Sequence, residues 1–234
     1  MRHTRHGPHL HQLTRIGLVN VYLVEEDDGL TLVDAAIPGS APAILKAAQS
    51  LGQPIRRIVL THAHVDHIGS LEALHAALPE VPIFISARES RLLRGDVGLD
   101  ADEPQTPLRG GLQPSTVPVQ SLDDGDLVGS LRVIPTPGHT PGHLALLDTR
   151  DGTLIAGDAY HTVGGVTVVS DRRWFFPFPA LATWHAGTAL ASARHLAELR
   201  PTRLAPGHGR VVENPAAAMD RALDRAKRGG AARG

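Results

Sequence analysis

The sequence predicts an α+β fold in which helices cover sheet. Three observations predict it. Between residues 16 and 86 short apolar, β-branched runs alternate with amphipathic stretches, which implies layers of helix on sheet. Asp-Gly pairs at Asp28-Gly29 and Asp151-Gly152 join such runs as hairpin turns. Farther along, apolar runs lead to a Gly followed by His or Asp, at His139, Asp158 and His208, so polar side chains gather on loops at strand ends.

Residues 1–13 carry His3, His6, His9 and His11 with little apolar content, and are expected to form a flexible N-terminal arm. Ile16 to Val24 and Leu30 to Val33 make the first hairpin, which stops at Asp34. Ser40 to Leu51 reads as a helix: Ile44, Leu45 and Ala48 share a face, Ser40 can cap it, Pro42 sits in its first turn and Gly52 ends it. A strand at Ile55–Leu60, a helix at Leu71–Leu78 and a strand at Val81–Ser86 follow. Residues 95–118, rich in Gly, Pro, Asp and Gln, are expected as a long surface excursion. Leu131–Ile134, Leu144–Leu147 and Thr153–Ala156 are strands. Both Asp-Gly hairpins run Asp-Gly, apolar strand, Asp, which is a faint internal duplication. Ala180–Leu199 is expected as one long helix stopped by Pro201, and Ala216–Ala226 as the last. One domain is thus expected over residues 14–227, with a flexible C-terminal tail at 228–234.

With 234 residues, 42% of them hydrophobic, the chain can bury one sizeable core. Acids number 24 and bases 23, so no whole-body field steers nucleic acid or anionic lipid. Aromatics at 3% leave little surface for base stacking, and no nucleic-acid partner is expected. Cysteine is absent, which excludes disulfide scaffolds, thiolate nucleophiles, iron–sulfur clusters and thiolate zinc sites. No apolar run approaches the ~20 residues of a membrane span. The first residues lack a signal-peptide core and cleavage site, so a cytoplasmic protein with no membrane partner is expected.

The strongest feature is His62-x-His64-x-Asp66-His67 directly after an apolar strand. Imidazole and carboxylate suit zinc, iron or manganese, with zinc the commonest fit where thiolate is lacking. In an extended stretch His62 and His64 point the same way and can grip one ion. If the chain then turns into a helix, Asp66 and His67 swing to a neighbouring position. One short segment can thus serve two metals.

Thr61 to His67 resembles the signature of the metallo-β-lactamase superfamily. His139 within Gly138-His139-Thr140-Pro141-Gly142-His143, Asp158 after Gly157 and His208 within Pro206-Gly207-His208-Gly209 match that family's later motifs in order, and Asp34 matches its first acidic motif. The resemblance runs from about Gly17 to His208. It implies a four-layer αββα sandwich, two mixed β-sheets face to face with helices outside, and the duplication fits its two similar halves. It implies two divalent metal ions, with zinc expected and iron or manganese as alternatives. His62, His64 and His139 would hold the first ion, Asp66, His67 and His208 the second, and Asp158 would bridge them. Asp66 would also take and return the proton in catalysis. Asp34 and His143 resemble positions that orient ligands.

The function implied is hydrolysis of an ester, thioester or lactone carbonyl in a small-molecule substrate, in the manner of glyoxalase II and lactonase enzymes. The alternatives are an iron-dependent persulfide dioxygenase and a phosphodiesterase or β-lactam hydrolase of the same superfamily. True β-lactamases generally lack an acidic bridge, which Asp158 supplies. Lactonases place Tyr three residues after the bridging Asp, where this chain has His161, beside Tyr160. Tyr160, His161, Trp174 and Phe176 lie in the segment expected to meet substrate. The aromatic run at 174–178 reads equally as a lid, a core plug or a contact in a homodimer.

Overall fold

The computed structural model describes residues 1–231. Seven strands form the first sheet in chain order: β1 (Arg2–His6), β2 (Leu10–Arg15), β3 (Val19–Glu26), β4 (Gly29–Val33), β5 (Ile55–Val59), β6 (Ile83–Ser86) and β7 (Gln120–Leu122). The first four pair antiparallel and the rest parallel, so the sheet is mixed. The parallel crossovers carry helices, as parallel pairing requires. These are α1 (Ala41–Ser50), α2 (Val65–Ile68), α3 (Leu71–Ala77) and α4 (Ala87–Leu93). The second sheet is also mixed and uses β8 (Leu127–Val128), β9 (Leu131–Pro135), β10 (Leu144–Asp148), β11 (Thr153–Gly157), β14 (Arg203–Pro206) and β15 (Val212–Glu213), in the order β15-β14-β11-β10-β9-β8. A small pair, β12 (Tyr160–His161) and β13 (Thr167–Val168), stands apart, and α5 (Phe178–Ala182), α6 (Ala186–Glu198) and α7 (Ala216–Ala231) complete the chain.

Three apolar cores define four layers. Val21, Leu23, Leu30 and Leu32 on one face of the first sheet pack with Ile44, Ile68, Leu71, Leu74 and Leu92 of the helices. Tyr22, Val24, Val33 and Val59 on the opposite face meet Leu131, Val133, Leu144, Leu146 and Ile155 of the second sheet. Ala145, Leu154 and Leu204 on the outer face of that sheet pack with Ala193, Leu196, Met219 and Leu223 of α6 and α7. Residues alternate between faces at a period of two, and both faces are buried, so the central strands read as continuous apolar runs. The repeated Asp-Gly pattern maps onto equivalent places. β4 leads into Asp34 beside parallel β5, which feeds the His62 loop; β11 leads into Asp158 beside parallel β14, which feeds the His208 loop.

Three expectations are corrected. Residues 1–13 are no flexible arm but the edge hairpin β1–β2. The polar residues that suggested an arm have partners inside the sheet: the His11 ring lies 2.6 Å from Glu25, and the Gln12 amide donates to the Gly209 carbonyl at 2.9 Å. The helix expected over 180–199 is broken into α5 and α6. The Trp184 and His185 amides donate to the carbonyls of His139 and Gly138, at 3.0 and 2.9 Å, and so cannot serve a helical ladder. The C-terminal tail expected at 228–234 is helical to Ala231 within α7, and its last three positions lie outside the described residues. Ser40 precedes α1 as expected, but its hydroxyl makes no cap bond.

Candidate metal centre

The loop after β5, the turn into α2, and the loops after β9, β11 and β14 converge at one end of the sandwich. They bring His62, His64, Asp66, His67, His139, Asp158 and His208 together. Ligand-type atoms lie within 4.8 Å of one another in three overlapping groups: His62, His64 and His139; His62, His67 and Asp158; and Asp66, His67 and His208. All seven are buried except Asp66, whose side chain is 32% exposed. Asp158 lies 3.4 Å from His67, 3.5 Å from His139 and 3.1 Å from His208, at the middle of the cluster.

Four of the five imidazoles are held from behind; the outer nitrogen of the fifth, His208 Nδ1, is buried without a partner. The Thr61 hydroxyl donates to Asp34 at 2.8 Å, so it accepts from His62 Nδ1 at 3.0 Å. His67 Nδ1 donates to Asp34 at 2.7 Å. The Thr183 hydroxyl donates to the Pro179 carbonyl, so it accepts from His139 Nδ1 at 3.1 Å. His64 Nε2 can only donate to the Arg109 carbonyl at 3.0 Å. In the neutral rings, the form that binds a metal, these partners assign the tautomers and leave the inward nitrogen of each of the four bare. His62 Nε2, His67 Nε2 and Asp158 Oδ1 are buried with no hydrogen-bond partner. The bare nitrogens of His64 and His139 face each other at 3.0 Å, where two lone pairs repel and no proton is left to share. A cation resolves both the repulsion and the orphaned atoms, which otherwise cost about 1–3 kcal/mol each. The nitrogen and carboxylate donors fit zinc, iron or manganese.

The electrostatics agree with a cation site. Burial, reinforced by neighbouring imidazoles, holds His62 and His139 well below the usual histidine range. Burial also works to lower His67 and His208. The carboxylate of Asp158 outweighs it with help from Asp66, and from Asp34 at His67, so that His67 is raised and His208 is pushed up to about 9. Burial opposes the Asp66 carboxylate, but His67 and His208 beside it hold it well below its ordinary value.

Asp34 and His143 both contact residues of the cluster. Asp34 adopts a left-handed backbone with φ of 63°, which turns its carboxylate onto both Thr61 and His67. His143 Nε2 accepts from the Asp158 amide at 2.9 Å, and burial lowers this ring to about 3. The segment after Asp158 sorts differently. Tyr160 is a core residue whose hydroxyl donates to the Ala193 carbonyl at 2.7 Å, away from the cluster. His161 is buried against the edge of Phe176, with ring centroids 5.3 Å apart, and burial lowers it to about 4. Phe176 faces His208 with centroids 5.7 Å apart and lines the cavity over the cluster. Trp174 is 90% exposed and does not reach that cavity.

Several residues carried no sequence signal. Glu89 on α4 is fully buried. One of its oxygens accepts from the Ala63 amide at 2.8 Å, and the other from the Thr140 hydroxyl at 2.8 Å and the Gly142 amide at 3.0 Å. It therefore ties the His62–His64 loop to the His139 loop. Thr183 and the Arg109 carbonyl orient rings from distant segments, and the excursion expected at 95–118 delivers the latter. Gly207 is required by space, because a Cβ there would overlap Asp158 Oδ1 and press on the His67 ring.

A sequence model of the metallo-β-lactamase superfamily matches residues 14–208. The chain belongs to that superfamily and has its fold. It is 51% identical to the uncharacterized protein YobT of Bacillus subtilis, covering 90% of this chain and 91% of that one. It is 31% identical to the probable metallo-hydrolase YflN of the same organism, covering 86% and 83%. It is also 36% identical to the hydroxyacylglutathione hydrolase of Alkalilimnicola ehrlichii, but over only 54% of this chain and 41% of that protein. Among solved structures, TTHA1623 in a di-iron-bound form superposes with a TM-score of 0.65 at 27% identity, covering 88% of this chain and 94% of that one. The DIM-1 metallo-β-lactamase superposes with a TM-score of 0.70 at 18% identity over 97% of each chain, a likeness of fold. Among the described residues no helix is long and apolar enough to cross a membrane.

Proposed function

We propose that this protein is a dinuclear metal-dependent hydrolase that cleaves an ester, thioester or lactone carbonyl in a small-molecule substrate, with zinc as the first-choice metal. The observation that carries this reading is the pair of bare nitrogens of His64 and His139 facing each other at 3.0 Å in a cluster with orphaned atoms on His62, His67 and Asp158. His62, His64 and His139 would hold one ion, Asp66, His67 and His208 the other, and Asp158 would touch both. Bound divalent ions supply Lewis acidity, which polarises a carbonyl oxygen and acidifies water. Asp66 is the one part-exposed carboxylate of the cluster and opens to the cavity, so it is the group to accept a proton from the attacking water and return it to the leaving group. Asp34, Thr61 and Thr183 keep the rings in the tautomer that binds.

The test is metal analysis of the purified protein together with turnover of an ester, a thioester, a lactone, a phosphodiester and a β-lactam. About two ions per chain and carbonyl hydrolysis are expected, and both are lost in His64→Ala and Asp158→Ala. Unchanged metal content in both variants overturns the assignment. Because TTHA1623 is known in a di-iron-bound form, iron is measured alongside zinc and manganese, with oxygen uptake as the readout for oxygen chemistry.

A further inference from the structure

The cavity over the cluster has two unlike walls. One is made of the candidate ligands His64, Asp66, His139, Asp158 and His208; the other is Leu18, Val19, Phe176, Phe178, Pro179 and Ala182. Its volume is about 240 Å³, below the ~300–1,000 Å³ typical of pockets for drug-sized ligands. Phe176 is buried and Phe178 is 68% exposed, with their rings edge-to-face at 6.0 Å, so the apolar wall runs from the cluster out to the mouth.

Charge is sorted just as sharply. The chain has 23 basic residues, all but Lys46 and Lys227 being Arg, yet among the described residues no Lys or Arg lines this cavity. The arginines collect elsewhere. Arg109 and Arg172 line a cavity behind α5, and Arg173, Arg210, Arg221 and Arg225 line a third beside Gly164-Gly165. An anionic arm in the cavity over the cluster would lose water and meet apolar side chains and the Asp66 carboxylate, with no Lys or Arg to pair with. An apolar arm would gain from every methylene it buries.

Building on the hydrolase reading, we infer that the substrate is a small, uncharged carbonyl compound whose arm beside the cluster is a short apolar acyl chain. The chain lies along Leu18, Phe176 and Phe178. Thioesters and esters that carry a carboxylate on that arm are poor substrates.

The test measures binding and turnover separately. Acetohydroxamic acid, hexanohydroxamic acid and the monohydroxamate of adipic acid, which has the same length but ends in a carboxylate, are titrated calorimetrically into metal-loaded protein. Each buried methylene is worth up to roughly fourfold in affinity. The hexanoyl probe should therefore bind at least about tenfold tighter than the acetyl probe, and about tenfold tighter than the adipic probe. Phe178→Ser should shrink the hexanoyl-to-acetyl ratio at least about threefold, while Trp174→Ser on the exposed surface leaves it in place. An adipic probe that binds as well as the hexanoyl one, a ratio near one, or no binding of any probe overturns the inference. Neutral p-nitrophenyl acetate and hexanoate are assayed in parallel. Ranked binding without turnover of any ester, thioester or lactone removes the hydrolase reading and leaves the apolar arm standing. Turnover without ranking does the reverse.

Discussion

Replacing Glu89 by Gln tests whether a buried carboxylate braces the metal loops. Both Glu89 oxygens accept, one from Ala63 and the other from Thr140 and Gly142. A Gln amide offers one accepting oxygen and turns its NH₂ toward at least one of those donors. A buried donor left unsatisfied costs about 1–3 kcal/mol. Burial, only partly offset by these donors, pushes Glu89 up from 4.5 to about 7. The folded value lies above the unfolded one, so protonation favours the fold. The contribution is complete below about pH 4.5 and is lost as the pH rises through about 7. A displacement of this size corresponds to about 3 kcal/mol. The measurement is urea denaturation of wild type and Glu89→Gln in the same metal-loaded state between pH 5 and 8. Wild type should lead by about 1–3 kcal/mol at pH 5, and the lead should close by about 2–3 kcal/mol by pH 8, since Gln does not titrate. A gap that stays constant or widens with pH refutes the reasoning, because the three donors would then outweigh burial.

Three further outcomes are expected. Asp34→Asn disturbs the partner that fixes both His67 and Thr61, and metal affinity measured by competition with a chelating dye should fall about 10–100-fold; an unchanged affinity removes Asp34 from the orienting role. Gly207→Ala places a methyl group against Asp158 and His67, so the purified variant should carry less metal than wild type even where its far-ultraviolet circular dichroism is retained. Chelator treatment should lower Tm by at least about 5 °C, because ions bound at 100 times their Kd add about 2.7 kcal/mol and 1 kcal/mol moves a domain of this size by about 2–4 °C; an unmoved Tm argues against bound ions.

Much of this cluster is visible in the sequence because its candidate ligands obey local rules. His62, His64, Asp66 and His67 are neighbours in the chain, and His139, Asp158 and His208 each follow a glycine. Asp34 was legible for the same reason, as the end of an apolar strand. Glu89 was not, because an isolated acid in a short helix looks like any solvated one, and its importance lies in two loops that only the fold brings to it. Thr183 was hidden inside an apparent helix. The helical stripe around Leu190 and Ala193 is real, but nothing local reveals that residues 183–185 bond to the His139 loop. The N-terminal histidines misled in the opposite sense: β1 is an exposed edge strand, and His11 in buried β2 is paired with Glu25 across the sheet, so neither can be told from a solvated arm by composition. Trp174 and Tyr160 show that a ring near a ligand in sequence says little about which way it faces.

The grip on the His208 loop has a consequence for how the molecule comes into being. The Asn20 amide donates to the carbonyls of Pro206 and Gly209, at 2.9 and 2.6 Å, and the Tyr22 hydroxyl donates to Pro206 at 2.6 Å. These bonds span 184 to 189 residues of chain. Strands that leave the ribosome first wait for almost the last ones before their polar groups are satisfied, and such non-local closure is intrinsically slow. The inner face of the first sheet waits less long, for residues 131–155 of the second sheet, and apolar surface uncovered in that interval invites aggregation or chaperones. On the proposed reading metal capture would come at the end of the longer wait, since no set of nascent residues short of His208 contains every candidate ligand.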